Sequence, residues 1–306
     1  MNLENLIGNK EIKDKLISIV ENKKVVNSYL FIGEEGIGKK EFAKEFSRMI
    51  LCEKENFEKD IECDSCIKFI SENHPDFFII EKDENSIKID QIRNLVEKSQ
   101  EKPVLSKRKV YIINDADSMT KEAQNSLLKT LEEPLEYIVI ILIASNENNL
   151  LTTIKSRCTK INFNRIEKEE LKKYIKDNNF SFEEELIDTL NGSIGKIFKI
   201  KESIEIYKEI NNLFNKLLEN KLNSKIDFIN ESEIIYKSKE EIKDILDYIN
   251  IIFYKEIRKG NNILIDCIEI IEDAKLRLSS NCNFDMTIDN MLFKIWEEIN
   301  EKHNRC

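Results

Sequence analysis

Apolar residues recur along this chain with two different periods, and the change from one to the other divides it. Up to about residue 165, short runs of β-branched and aromatic residues alternate with segments whose apolar positions keep helical spacing. The runs Ser28–Ile32, Asp76–Ile80, Lys109–Ile113, Tyr137–Ala144 and Thr159–Phe163 predict strands, while Lys10–Glu21, Lys40–Leu51, Asp90–Gln100 and Lys121–Glu132 predict helices. Such alternation points to an α/β fold with a parallel sheet covered on both faces. Three short helices follow, at Glu167–Lys176, Ser181–Leu190 and Ile194–Lys201, with a break at Asn191-Gly192, and they predict a small lid-like unit. From about residue 205 the stripes are helical throughout, as in Tyr207, Ile210, Phe214 and Leu217, or Ile242, Ile245, Leu246, Ile249 and Phe253. That part holds one glycine, Gly260, and no proline, so its helices run with little to break them. The expected organisation is a sheet domain over 1–165, a three-helix lid over 166–204 and an all-α domain over 205–306. In the last of these, an oligomerisation surface would carry the same stripes as a bundle core.

Composition narrows the functional classes. The length of 306 residues exceeds one ordinary core, and 41% hydrophobic residues leave ample material to bury. Charged residues make up 35%, but the signs are interleaved, as on solvated helix faces. The formal net charge of −10 argues against autonomous nucleic-acid binding, whose affinity comes largely from cations on phosphates; a local basic patch stays open. The N-terminus lacks a basic start followed by an apolar run, and no stretch approaches the roughly 20 apolar residues of a membrane span. Seven cysteines, an odd number, suit a reducing compartment better than a disulfide framework, so the cytoplasm is expected.

The most informative motif is Gly33-Glu34-Glu35-Gly36-Ile37-Gly38-Lys39, set between the strand-like Tyr29–Ile32 and a helix. This is the context of a phosphate-binding loop, in which backbone N–H groups cradle phosphates and the lysine reaches the terminal ones. Gly33, Gly36, Gly38 and Lys39 are therefore candidate nucleotide-binding residues. The next position should offer a Ser or Thr hydroxyl to Mg²⁺, and here it is Lys40, an ammonium with no acceptor. A second departure lies at the end of the strand Lys109–Ile113. There Asn114-Asp115-Ala116-Asp117 replaces the acid that would complete the metal shell with a neutral amide, and the acid that would polarise water with the shorter Asp115. Both metal-binding positions are eroded, so ATP and Mg²⁺ binding by this chain is in doubt.

Two further stretches carry a resemblance. Asp115 to Pro134, containing Lys121-Glu-Ala-Gln-Asn-Ser-Leu-Leu-Lys-Thr-Leu-Glu-Glu-Pro134, and Leu150-Leu-Thr-Thr-Ile-Lys-Ser-Arg-Cys158 closely resemble the clamp-loader subunits of bacterial DNA polymerase III. With its eroded nucleotide motifs the chain looks most like the delta-prime type within that family. The resemblance implies an AAA+ domain of sheet and lid, followed by a helical collar that assembles a five-membered ring with gamma/tau and delta subunits. It implies membership of the polymerase holoenzyme without ATPase or polymerase activity of its own, and work on the sliding clamp and primer-template DNA through the complex. Ser156-Arg157-Cys158 matches the motif whose arginine enters a neighbouring subunit's ATP site, so Arg157 is the candidate catalytic residue, acting in trans. A guanidinium suits that role because it is permanently charged and forks onto phosphate oxygens. In the lid, Gly195 falls where active members place a nucleotide-sensing arginine, with Lys196 as its alternative one residue on.

Cys52, Cys63 and Cys66 lie between the first two strands, and a close Cys-x-x-Cys pair suits tetrahedral Zn²⁺. The family carries a four-cysteine zinc module here, ahead of a segment matching His74-Pro75-Asp76, with Asp60 at the second ligand's place. Two readings stay open, a zinc site of Cys52, Asp60, Cys63 and Cys66 or a module that has lost its metal; His74 is expected to be structural. The functional expectation is a non-hydrolysing clamp-loader subunit. Its rivals are an ATP-hydrolysing gamma/tau-type subunit and a free-standing zinc-dependent nucleic-acid-binding protein.

Overall fold

The structure, a computed structural model, describes residue 3 and residues 6–54, 63–222, 224–262 and 264–303. Five strands form one sheet: β1 (Ser28–Ile32), β2 (Phe77–Ile80), β3 (Lys109–Ile113), β4 (Ile138–Ala144) and β5 (Thr159–Asn162), in the order β2-β3-β4-β1-β5. Every neighbouring pair is parallel. Burial explains the order. The run Ile-Val-Ile-Ile-Leu-Ile-Ala of β4 is apolar at every position and wholly buried, as a strand covered on both faces must be, and it takes the centre. The polar Thr-Lys-Ile-Asn of β5 buries only Ile161 and takes an edge.

Helices cover both faces. On one side α1 (Lys10–Glu21) and α2 (Lys39–Leu51) send Leu16, Phe42 and Phe46 against Tyr29, Phe31, Ile112 and Ile141. On the other, α4 (Ile89–Ser99) and α5 (Lys121–Glu132) send Ile92, Leu95, Leu127 and Leu131 against Leu30, Tyr111, Ile113 and Ile140. Alternate residues of β1 thus serve opposite cores, and each large side chain buried contributes about 1.5–3 kcal/mol. Between β1 and β2 lies a helix that the periodicity did not announce, α3 (Asp64–Ile70), only seven residues long and capped by the Cys63 sulfur, which accepts from the Cys66 amide. The other expected strands and helices fall within a residue or two of their bounds, except that the helix expected from Ser181 begins at Glu184. The connection to β5 carries α6 (Thr152–Lys155).

Packing divides the chain into two compact units, residues 1–174 with 192–195, and residues 175–191 with 196–306. The helix α7 (Lys168–Asp177) runs from one to the other. The second unit is all helical, with α8 (Glu184–Thr189), α9 (Ile194–Glu202), α10 (Ile204–Leu218), α11 (Lys225–Glu231), α12 (Glu233–Lys237), α13 (Ile242–Arg258), α14 (Leu264–Ser279) and α15 (Phe284–His303). Its stripes are core: Tyr207 meets Tyr248 edge-on at 5.2 Å, Phe214 meets Phe253 at 5.5 Å, and Phe228 stacks on Trp296 at 5.8 Å. Segments expected in the lid, 175–191 and 196–204, pack within this helical unit.

Candidate functional site

The chain leaves β1, between the central β4 and the edge strand β5, and turns through the glycine-rich loop into α2. Gly36 and Gly38 hold φ angles of +77° and +94°, left-handed conformations that a side chain would strain. Gly38 is the N-cap of α2 and offers no side chain, so the first amides of the helix point into the loop, as in an anion cradle. The groups around that cradle are bonded to one another. Lys39 is 5% exposed, and its ammonium donates to the carbonyl oxygens of Gly33 and Glu34 at 2.5 and 2.6 Å, with Ser145 Oγ at 3.3 Å. Burial lowers its pKa, against the pull of Asp117, Asp115, Glu35 and Glu34. Lys40 places its ammonium 2.5 Å from Glu81 Oε1 in an ion pair. Arg165 Nε donates to Glu34 Oε1 at 2.8 Å. Gly195, at the expected nucleotide-sensing position, donates its amide to the Gly36 carbonyl at 2.9 Å, while Lys196 pairs with Asp244 at 2.6 Å.

The second nucleotide motif is similarly engaged. Asp115 has a φ of +51°, and its Oδ2 lies 3.4 Å from Lys82 Nζ. Asp117 Oδ2 accepts from the amides of Ser145 and Asn146 at 3.2 and 2.8 Å, which makes it a bracket for the loop after β4. The Asn114 amide donates to Ile80 at 2.9 Å and continues the β2–β3 ladder.

Arg157 sits apart from this pocket on a stiff platform. Its flanks Ile154 and Cys158 are buried, its amide donates to Ile154 at 3.1 Å, and its carbonyl accepts from Ser28 Oγ at 2.7 Å. Burial pushes the Cys158 thiol up to about 11, so it packs as an inert apolar group. The buried amide of Gln124 ties the same corner to α5, donating to Met119 and Asn149 and accepting from the Leu151 amide. From this platform the guanidinium projects to the surface, 33% exposed, with Nη2 2.7 Å from Glu132 Oε1 and Nη1 donating to the Thr153 carbonyl at 2.9 Å.

Among the described residues, Cys52, Cys63 and Cys66 bring their sulfurs within 4.8 Å of one another. The sulfurs of Cys52 and Cys63 are 3.8 Å apart, matching the spacing of about 3.7–3.8 Å for two sulfurs about 2.3 Å from a tetrahedral zinc. Burial and the neighbouring thiols push Cys66 up to about 12, and burial raises Cys52. At Cys63 burial opposes ionisation, but hydrogen bonds from the Glu53 and Cys66 amides and the adjacent thiols outweigh it and lower the pKa. Three thiols so placed cannot all ionise without a cation between them, and the donor set fits zinc. Asp60 lies outside the described residues. His74 is no ligand: Nδ1 accepts from the Asp76 amide at 3.0 Å, and Nε2 is 2.9 Å from Ser65 Oγ.

The sequence model of the family described as "DNA polymerase III, delta subunit" matches residues 8–167, more than half of the chain and all five strands. The chain belongs to the DNA polymerase III delta-subunit family. Among curated relatives, a DNA polymerase III subunit delta' of Bacillus subtilis is 38% identical over 148 residues, covering 48% of this chain and 45% of that one. One from Pseudomonas aeruginosa is 38% identical over 135 residues, covering 43% and 41%. A gamma/tau subunit of Mycoplasma genitalium is 36% identical over 169 residues, covering 54% and 28%. The match thus spans under half the length of these relatives. Among solved structures, a DNA polymerase III gamma subunit-related protein of Thermotoga maritima covers 94% of this chain and 99% of its own, with a TM-score of 0.52 and 20% identity, and so shares the fold. No helix among the described residues is long and apolar enough to cross a membrane.

For a member of the delta-subunit family, the site also contains partners that no motif announced. Glu81 closes on Lys40 across 41 positions of sequence, and nothing in its surroundings in the chain marks it. Glu132 lies inside the helix motif, where spacing alone reads as one more solvated acid, and it meets Arg157 only after the chain has passed through β4 and α6.

Proposed function

We propose that this chain is a delta-prime-type clamp-loader subunit, which does not hydrolyse ATP itself and lends Arg157 to the ATP site of a neighbouring subunit. The observation that carries the reading is the contrast between its two candidate sites. In its own pocket Lys39, Lys40 and Asp115 are tied to Glu34, Glu81 and Lys82, whereas Arg157 stands on a braced corner with its guanidinium reaching the surface. Such an arginine can stabilise charge on a transferring phosphoryl group only at a site supplied by another chain. The partners in this reading are gamma/tau and delta subunits in a ring, with the sliding clamp and primer-template DNA reached through the assembly. The net charge of −10 accords with DNA contact shared among subunits. Mixing the chain with candidate gamma/tau and delta subunits and measuring the mass of the product tests it. A ring-sized complex is expected, together with no Mg²⁺-dependent ATP turnover by this chain alone. Failure to assemble, or turnover by the lone chain, would retire the reading, the second in favour of a gamma/tau-type ATPase.

The same reading includes a structural zinc held by Cys52, Cys63 and Cys66, with Asp60 as the fourth ligand. When bound, the ion would neutralise the thiolates and clamp the end of α2 to α3. Elemental analysis of the purified chain is expected to give about one zinc, and a strong chelator is expected to lower its melting temperature. A zinc content near zero would remove the site.

A further inference from the structure

We infer that Glu132 is a positioning residue for Arg157, presenting its guanidinium in an orientation ready for a neighbour's phosphate; this rests on the reading of Arg157 as a finger in trans. Glu132 is the last residue of α5, and Glu133 follows it. Both carboxylates therefore stand at the negative end of the helix, where an acid is disfavoured and a nearby cation is drawn in. Arg157 is that cation, with Nη2 2.7 Å from Glu132 Oε1. Its second anchor comes from a different element, the Thr153 carbonyl of α6, which accepts from Nη1 at 2.9 Å. Two anchors on two elements fix the fork in direction as well as in place. The elements are themselves fixed, because the Gln124 side chain bonds to Asn149 and Leu151 on the approach to α6.

The pair can do little for stability. The two side chains are 33% and 46% exposed, and ion pairs in that setting contribute little that can be measured. What it can do is restrict rotamers. A free arginine side chain samples many conformations, and a finger that must be ordered at the moment of reaction loses rate for that ordering. A guanidinium has five N–H donors; Nη1 donates to the Thr153 carbonyl and lies 3.5 Å from Ser156 Oγ, while Nη2 is ion-paired with Glu132. The Nε–H and a hydrogen on Nη2 are left to fork onto phosphate oxygens without leaving the carboxylate.

The test is steady-state ATPase of the fully assembled loader with clamp and primed DNA, comparing Glu132→Ala, Arg157→Ala and the double variant. Glu132→Ala is expected to lower kcat by about 3- to 10-fold with KM unchanged, the range that releasing one arginine's rotamers can account for. Added to Arg157→Ala it should cause no further loss, since it acts only through that arginine. Glu132→Gln keeps an acceptor oxygen and should recover most of the loss, and melting temperatures should stay at the wild-type value. If Glu132→Ala turns over at the wild-type rate or faster, or if its loss adds fully to that of Arg157→Ala, the positioning role is overturned. If Arg157→Ala itself leaves turnover unchanged, the finger reading fails and this inference with it.

Discussion

Arg157→Ala is expected to leave the chain folded and able to assemble, and to slow ATP turnover by about 10³–10⁵-fold at the site this arginine faces, the range measured for arginine fingers elsewhere. Folding should survive because the side chain's contacts, to Glu132, the Thr153 carbonyl and Ser156 Oγ, are all exposed, while the backbone bonds to Ser28 and Ile154 do not involve the guanidinium. The catalytic loss should be large because it removes a permanent charge and a planar fork from a developing phosphoryl transition state, where nothing else on this chain can take its place. Arg157→Lys separates the two contributions. Lysine keeps the charge on a shorter, less directional ammonium, so most of the loss should remain. The measurement is ATPase of the assembled complex stimulated by clamp and primed DNA, with melting temperature and complex mass as controls. Turnover unchanged in Arg157→Ala would show that the platform at Ser156-Arg157-Cys158 serves packing alone.

Much of this was legible in the chain itself. The sheet could be read because its strands are short β-branched runs bounded by turn residues. Tyr137–Ala144 could be read as a strand from its unbroken apolar character, whereas its central place emerged only in the fold. The glycine turn at Gly33–Lys39 could be read because it is a local device, set by glycine conformations within seven residues. Lys40 and Asn114 could be read as departures for the same reason, since the ligand positions are fixed by their distance from the loop and the strand end. What could not be read was what these departures connect to. Lys40 faces Glu81, and Arg157 faces Glu132, because strands β2 and β4 bring sequence-distant ends together at the carboxyl edge of the sheet or at its corner. Pairings of this kind carry no periodic signal. The helix α3 escaped for another reason: at seven residues it is shorter than the window over which helical spacing becomes distinct, and its cap is a cysteine sulfur rather than an oxygen. His74-Pro75-Asp76 showed its family likeness in the sequence but not its function in the fold, which depends on residues near 51, 65 and 106.

That function leads to the second large effect. Asp76→Ala is expected to destabilise the sheet unit by about 3–5 kcal/mol, because it removes a buried acceptor and orphans three partly buried donors at once. The Asp76 side chain is fully buried, and its carboxylate accepts three consecutive amides, from Val104 at 2.7 Å and from Leu105 and Ser106 at 2.8 Å each. Those bonds hold Ser106 where its hydroxyl donates to the Leu51 carbonyl at 2.8 Å beside the matching bond from Ser65, and His74 Nε2 reaches both hydroxyls. One carboxylate therefore ties the loop before β3 to the last turn of α2 and the first turn of α3. An unpaired buried N–H costs about 1–3 kcal/mol, and three of them would exceed the stated range if no water entered; partial relaxation of the loop brings the sum down to it. For a unit of this size, about 2–4 °C of melting temperature accompanies each kcal/mol, so a drop of about 10 °C is expected in thermal unfolding followed by circular dichroism. Asp76→Asn keeps the shape and one accepting oxygen but turns a donor toward an amide, and should fall between the two. Because Leu51 is followed directly by Cys52, the alanine variant should also loosen the thiol cluster and lower its zinc content. A melting temperature within about 2 °C of wild type would mean that the three amides find other acceptors and that Asp76 is not the knot that holds this corner.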